Sequence, residues 1–297
     1  MGFKEELLVF PHAKIKYNEP MKNHTSLGVG GDCDYYAEVC TLYGLNCLFM
    51  LAKENGVTCK VIGNGTNLLV SDNGFCGLII NVSKINDVFF KRDCVRAMAG
   101  ASLEKLIRFT VENGLSGIES LSGIPASVGG AVVMNAGAFG HNISDCIETV
   151  ETLKDGKLKV YDKQDCRFGY RKSRFLGKDE VVVSATFKFK ERERSAISCG
   201  VESFAEIRRT IQPSGRSCGS VFKNPKGFSA GQLIERAGLK GLSVGGAKIS
   251  EKHGNFIITS GRATAMDVFN LITTIKEKIK DEFGIELEKE VELVGEF

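Results

Sequence analysis

Ser220 lies in the run GSVFKNP, Gly219 to Pro225, with no histidine near it in the sequence. A hydrolytic serine needs an adjacent base, and Ser220 is not the central residue of a G-x-S-x-G elbow. Its hydroxyl therefore reads as a proton donor or a ligand contact rather than an attacking group. Two further stretches offer matching chemistry. FGYRKSRF, Phe168 to Phe175, gathers Arg171, Lys172 and Arg174 within four residues. That density suits a small multi-anionic ligand, and a solvated surface cluster explains it equally. LEKEV, Leu287 to Val291, places Glu290 in a run, Ile285 to Val294, whose alternation predicts a final strand. Glu286, Glu288, Glu290 and Glu292 would share one face of it. Carboxylates spaced about 7 Å apart along a strand repel, so that face must be solvated or paired with cations.

Two glycine-rich stretches suggest what these groups work with. The strand expected at Val57 to Ile62 runs into Gly63-Asn64-Gly65-Thr66-Asn67, followed by a second apolar run, Leu68 to Val70. Leu68 stands where a Rossmann fingerprint needs its third glycine, and no G-K-[ST] follows. The loop can still turn backbone N–H groups outward to cradle a diphosphate; a plain tight turn is the alternative. The tract SGIPASVGGAVVMNAGAFG, Ser122 to Gly140, is dense enough in small residues for backbone to approach a flat ligand or another backbone. Asn135, Gly129-Gly130 and Gly137-Ala138 favour a cofactor wall.

The elements that must position these groups follow from periodicity and caps. Leu45, Leu48, Phe49 and Ala52 form a helical stripe ended by Gly56. Ser102 caps a helix with the stripe Leu103, Leu106, Ile107 and Val111, closed by Gly114. Strands are expected at Val150 to Leu153 and Val181 to Phe189. ERERS, Glu191 to Ser195, reads as a charged connector into a helix over Val201 to Ile211. Ser229 to Gln232 opens a short helix closed by Gly238, and a last helix runs from Thr264 to about Phe283 with Val268, Ile272, Ile275, Ile279 and Phe283 on its apolar face. The segments divide at 1–83, 84–191 and 192–297.

Composition narrows the class. A chain of 297 residues with 43% hydrophobic and 25% charged content is an ordinary globular protein of two or three subdomains. A net charge of +3 is too small to argue for nucleic acid. No apolar run reaches the roughly 18 residues of a membrane helix, and Lys4, Glu5 and Glu6 interrupt any signal peptide. Ten cysteines without a C-x-x-C pair, and four dispersed histidines, leave no metal motif. Free thiols without a secretion signal are expected in a reducing cytoplasm.

Five motifs in this order, GNGTNLLVSD (Gly63 to Asp72), SGIPASVGGAVVMNAGAFG, FGYR, GSVFKNP and LEKEV, resemble the UDP-N-acetylenolpyruvoylglucosamine reductase family of peptidoglycan precursor synthesis. The resemblance spans nearly the whole chain, from Asn23 onward. It implies an α+β protein with a two-subdomain FAD-binding fold of the vanillyl-alcohol-oxidase type and a C-terminal substrate-binding domain. It further implies non-covalent FAD, NADPH as hydride donor, a UDP-sugar enolpyruvate as substrate, a cytoplasmic monomer, no nucleic acid and no membrane insertion. By the resemblance Gly63, Asn64, Gly65, Thr66, Asn67 and Leu68 hold the diphosphate. Gly123, Ile124, Pro125, Gly129, Gly130 and Ala131 would line the flavin. Arg171, Ser220 and Glu290 fall on the catalytic trio, and Tyr170, Lys223 and Asn224 on substrate-side positions. Another flavin oxidoreductase of the same fold, or a non-catalytic flavin-binding regulator, is the alternative. Two departures from the family pattern stand out. Lys289 replaces the proline of L-E-P-E-V and could pair with Glu290, and no tyrosine occurs between Phe175 and Gly219, the mark of a compact branch.

Overall fold

A computed structural model describes residues 2–297. The chain groups into two compact units, neither continuous in sequence: one takes residues 2–17, 35–64 and 77–207, the other 18–34, 65–76 and 208–297.

The first unit contains two sheets with helices packed on them. In one sheet the strand order is Ala13–Pro20, Asp32–Val39, Phe75–Asn81, Cys59–Ile62, the last two parallel. The helix Leu42–Glu54 buries Leu45, Leu48 and Ala52 in a core with Leu78, Ile80, Phe3 and Leu7. The other sheet is antiparallel, ordered Lys157–Asp162, Ile147–Lys154, Val181–Phe187, Cys94–Met98, Val88–Lys91. Helices Leu103–Glu112 and Val128–Met134 share a core with it through Leu103, Leu106, Ile107, Val128 and Val132. Both are capped by a serine hydroxyl that accepts a first-turn N–H, Ser102 from Lys105 at 3.0 Å and Ser127 from Gly130 at 3.3 Å.

The second unit packs the long helix Ala265–Phe283 and the short helix Ala230–Arg236 with a three-stranded antiparallel sheet, Ser243–Val244, Ala247–Ile249 and Ile257–Thr259. Val268, Leu271, Ile272, Ile275 and Ile279 recur at the helical period and are buried together with Leu69, Phe222 and Leu287. Gly284, at φ +68°, ends this helix in the left-handed conformation that glycine adopts without a Cβ clash.

Two expectations change. The helix expected from Val201 begins at Arg194, so it takes in the last two residues of the charged ERERS stretch. Only Ile197 of its eighteen residues is buried, and so little apolar periodicity gives its start no signal. The final strand is confined to Glu292–Val294, parallel to Leu68–Val70. Upstream of it the chain makes a single isolated bridge, Phe222–Lys289, instead of a continuous strand ladder.

Asp72, the end of the GNGTNLLVSD motif, accepts the N–H groups of Ala265 and Met266 at 2.8 and 2.9 Å. A carboxylate there pairs with two orphan first-turn donors and with the positive end of the helix dipole. The helix also carries its own Thr264–Asp267 capping box. Asp72→Ala is expected to lower stability by about 1–2 kcal/mol and Asp72→Asn by less, read as a shift of the thermal unfolding midpoint. An unchanged midpoint in Asp72→Ala would show that the Thr264 box suffices.

Candidate active site

In the second unit Ser220 stands at the start of a short extended stretch clamped on both sides. On one side Ser220 bridges Phe256, and the Val221 N–H donates to the Asn255 carbonyl at 2.9 Å. On the other, the Glu290 N–H donates to the Val221 carbonyl at 2.8 Å, and the Lys223 N–H to the Glu288 carbonyl at 2.9 Å. These bonds bring Ser220 and Glu290 into one neighbourhood, as the sequence reading expected. Phe222 forms the wide pair with Lys289, so its own N–H and C=O face the opposite way. There the side chain of Asn255 meets both: Oδ1 accepts the Phe222 N–H at 2.9 Å and Nδ2 donates to its carbonyl at 2.8 Å. Asn255 is buried and acts as a one-residue substitute for a strand. The sequence reading missed it; its only signal is an asparagine just ahead of the strand-forming run Phe256-Ile257-Ile258.

Asn67 belongs to the same cluster through Nδ2, which donates to the Glu290 carbonyl at 3.0 Å. Asn224 Oδ1 accepts the Ala230 N–H at 2.9 Å and so fixes the loop entering the short helix, while Lys223 pairs with Glu288. Both proposed substrate contacts thus carry internal bonds as well. Burial first, with the Glu290 carboxylate adding to it, pushes the Cys218 thiol up to about 12, so this neighbour of Ser220 is a packed thiol and not a nucleophile.

The Lys289 ammonium is held below the usual lysine range by burial and then by Lys276, with no carboxylate among the causes. The expected Lys289–Glu290 pairing is therefore not what acts on this lysine. The ladder bonds beside it run through the Glu288 carbonyl and the Glu290 N–H, so the geometry asks nothing of the Lys289 N–H. A proline there would remove no ladder bond.

G-x-S-x-G spacing does occur three times, at Gly215 to Gly219, Gly227 to Gly231 and Gly241 to Gly245. The first leads into the Ser220 stretch and the third lies in the Ser243–Val244, Ala247–Ile249 hairpin. The second opens the helix Ala230–Arg236, but it follows a turn rather than a strand, and the Ser229 hydroxyl caps that helix by accepting the Gln232 N–H at 3.4 Å. None of the three has the strand-to-helix turn of a hydrolase elbow.

In the first unit Arg171 is the third residue of a tight four-residue turn closed by two bonds, Gly169 N–H to the Lys172 carbonyl at 3.0 Å and Lys172 N–H to the Gly169 carbonyl at 3.2 Å. Its φ is +49°, a conformation a side chain disfavours. Nη2 donates to the Gly137 carbonyl at 2.9 Å, and the guanidinium lies 5.3 Å from the ring centre of Tyr170, which is exposed. The Asn135 side chain is buried and bonded within the protein, so it is not part of a cofactor wall.

The two glycine stretches meet in this unit. Asn64 Nδ2 donates to the Pro125 carbonyl at 3.0 Å, and a Cβ at Gly63 would overlap Ser127 Oγ. Asn64, Gly123, Pro125 and Gly130 are exposed there, two of them without a side chain, while Ile124 is half-buried. A bare backbone surface of this kind lets a flat cofactor approach closely. Gly129 and Ala131 are buried against the protein, Gly129 because a Cβ would come within 2.8 Å of the Ala99 Cβ. Gly65, Thr66 and Leu68 belong to the second unit. Gly65, at φ +64°, is pressed against the His24 carbonyl, Thr66 accepts a bond from Ser26 Oγ, and Leu68 is a core residue opposite Glu292.

A family model described as an FAD binding domain matches residues 45–160, and one described as the C-terminal domain of UDP-N-acetylenolpyruvoylglucosamine reductase matches 212–294. The UDP-N-acetylenolpyruvoylglucosamine reductase of Carboxydothermus hydrogenoformans is 42% identical over 99% of this chain and 98% of its own length. The crystal structure of the corresponding reductase from Thermus caldophilus aligns with a TM-score of 0.81 at 38% identity, covering 95% of this chain and 99% of that one. Glucooligosaccharide oxidase from Acremonium strictum, at 13% identity and a TM-score of 0.53 over 97% of this chain and 60% of that one, shares the fold alone.

Asn255→Ala leaves two buried backbone groups of Phe222 unpaired and is expected to cost about 2–4 kcal/mol of stability in denaturant unfolding. Lys289→Pro is expected to fold and turn over like the parent. A lowered lysine pKa penalises folding at every pH below the folded value, and that penalty fades as pH rises through it; proline removes the penalty at neutral pH. A marked loss of turnover in Lys289→Pro would show that the ammonium itself is used.

Proposed function

The chain belongs to the UDP-N-acetylenolpyruvoylglucosamine reductase family, and on that premise we propose that Arg171, Ser220 and Glu290 are its catalytic residues. It is an FAD-dependent oxidoreductase that reduces UDP-N-acetylglucosamine enolpyruvate to UDP-N-acetylmuramate, with NADPH as hydride donor. The observation that carries the assignment of Ser220 and Glu290 is the Glu290–Val221 backbone bond, which ties together two motifs seventy residues apart in sequence.

Gly63 and Asn64, with Gly123 to Pro125 and Gly130, are the residues of the first unit that would hold the cofactor; Gly65 to Leu68, Gly129 and Ala131 support the assignment from the packed side. FAD held there without a covalent tether would supply the hydride chemistry between NADPH and the enolpyruvyl double bond. The chain's own residues then handle charge and proton. Hydride at the terminal methylene leaves negative charge on the adjacent carbon and its carboxylate. Arg171 stabilises that charge; its fork matches a carboxylate, and its rigid turn sets its direction before the reaction. Ser220 Oγ gives the proton to the carbon. A hydroxyl is a weak acid, so Glu290 orients the acceptor or the donor as the proton moves. Tyr170, Lys223 and Asn224 serve the sugar nucleotide.

Residues 1–83 and 84–191 serve the cofactor in this reading and 192–297 the substrate. Among the described residues no helix is long and apolar enough to cross a membrane. The chain is read as a monomer working in the cytoplasm. From Phe175 to Gly219 the chain builds the strands Val181–Phe187 and Lys190–Glu191 and the helix Arg194–Ile211, with no long loop.

Native protein is expected to be yellow and to release FAD on denaturation; protein that stays colourless after reconstitution with FAD would end this reading. Splitting turnover into halves tests Ser220. NADPH should bleach the Ser220→Ala flavin at a near-normal rate, while reoxidation by the enolpyruvyl sugar nucleotide slows by roughly 100- to 10,000-fold. Cys218→Ala should leave both halves intact. Wild-type reoxidation in Ser220→Ala would move the proton donor elsewhere.

A further inference from the structure

The segment from Val133, in the last turn of the helix Val128–Met134, to Gly137 meets the Arg171 turn and the residue after it at three alternate residues. The Val133 carbonyl accepts from Ser173 Oγ at 2.6 Å, Asn135 Nδ2 donates to the Gly169 carbonyl at 2.9 Å, and the Gly137 carbonyl accepts from Arg171 Nη2 at 2.9 Å. The middle contact is the only one of the three made by a side chain of that segment. Asn135 is 3% exposed and sits at φ +46°, the left-handed cap of its helix. Its Oδ1 accepts the Ser144 N–H at 3.3 Å, so one amide face meets a donor and the other an acceptor, which fixes its orientation.

We propose that Asn135 is a positioning residue for Arg171: by holding the Gly169 carbonyl it keeps the turn closed, and with it the direction of the guanidinium. The Gly169 carbonyl already accepts the Lys172 N–H, and Asn135 supplies its second bond. The turn needs that support because Arg171 itself is in the left-handed region, which a residue with a Cβ leaves when it is free to do so. Asparagine suits the place on two counts: it tolerates a left-handed backbone better than other side chains, and its amide both donates and accepts. Aspartate has the shape but would set an acceptor against the Gly169 carbonyl. Glycine has the backbone freedom and no clamp.

The inference rests on Arg171 being the charge-stabilising cation, and the test separates the two. In FAD-loaded full-length protein, Asn135→Gly and Asn135→Asp should retain flavin reduction by NADPH within about twofold. Reoxidation by the enolpyruvyl sugar nucleotide should slow by roughly 10- to 100-fold, the scale of a misplaced catalytic group. In an Arg171→Ala background the same Asn135 changes should add nothing. As a readout apart from turnover, modification of Arg171 by phenylglyoxal, followed by peptide mass spectrometry, should quicken in both variants. The proposal is overturned if both half-reactions fall together, if the Asn135 effect persists without Arg171, if Arg171 labels at the parent rate, or if neither variant folds. Normal reoxidation in Arg171→Ala would instead sink the assignment of Arg171, whereas a slow Arg171→Ala beside a normal Asn135→Gly would sink only the role of Asn135.

Discussion

The paired bonds between the Asn255 amide and the backbone of Phe222 are what allow the Ser220 stretch to be irregular and still buried. A buried N–H and C=O without partners would cost enough to unfold a loop of this length. A neighbouring strand would satisfy them but would also impose a flat ladder on both sides. A side-chain amide satisfies one residue and lets the chain turn away on either side of it. Ser220 can then sit beside Phe256 while Val221 reaches across to Glu290, and Lys223 continues to Glu288. The placement of both groups follows from that single substitution of side chain for strand.

The glycine motifs show a related division between residues that present backbone and residues that let backbone pack. Gly63 and Gly129 are glycine because Ser127 Oγ and Ala99 occupy the space of a Cβ, and Gly65 because the His24 carbonyl does. Gly123 and Gly130, by contrast, are exposed, so there the missing side chain leaves open surface. The motif read as one cofactor cradle is therefore partly a packing device. Asn135 belongs to the same correction: it looks like a ligand contact in a glycine-rich tract, and its amide is spent on Gly169 and Ser144.

Lys289 illustrates how a departure from a family pattern can be neutral in geometry. Successive residues of an extended chain point to opposite sides, so adjacency in sequence does not by itself place a lysine beside its neighbour's carboxylate. Its half-buried stem and the nearby Lys276 set its behaviour instead.

What the sequence by itself determined is local. Ser102, Thr264 and Gly284 mark helix ends because caps act within one turn, and the stripe from Val268 to Ile279 is legible because burial follows the helical period. The order of five motifs identified the family before any contact was known. Tertiary structure decided what depends on register between distant segments. The start of the helix at Arg194 is invisible in a charged stretch that buries one side chain, and the final strand is short because it pairs only with Leu68–Val70, the chain upstream making the single Phe222–Lys289 bridge. Asn255 and Asn135 had no local signature, since an amide that pairs with backbone thirty residues away looks in sequence like any other polar residue. Their partners are chosen by where the fold leaves a buried backbone group unsatisfied, and that is set only once both segments are in place.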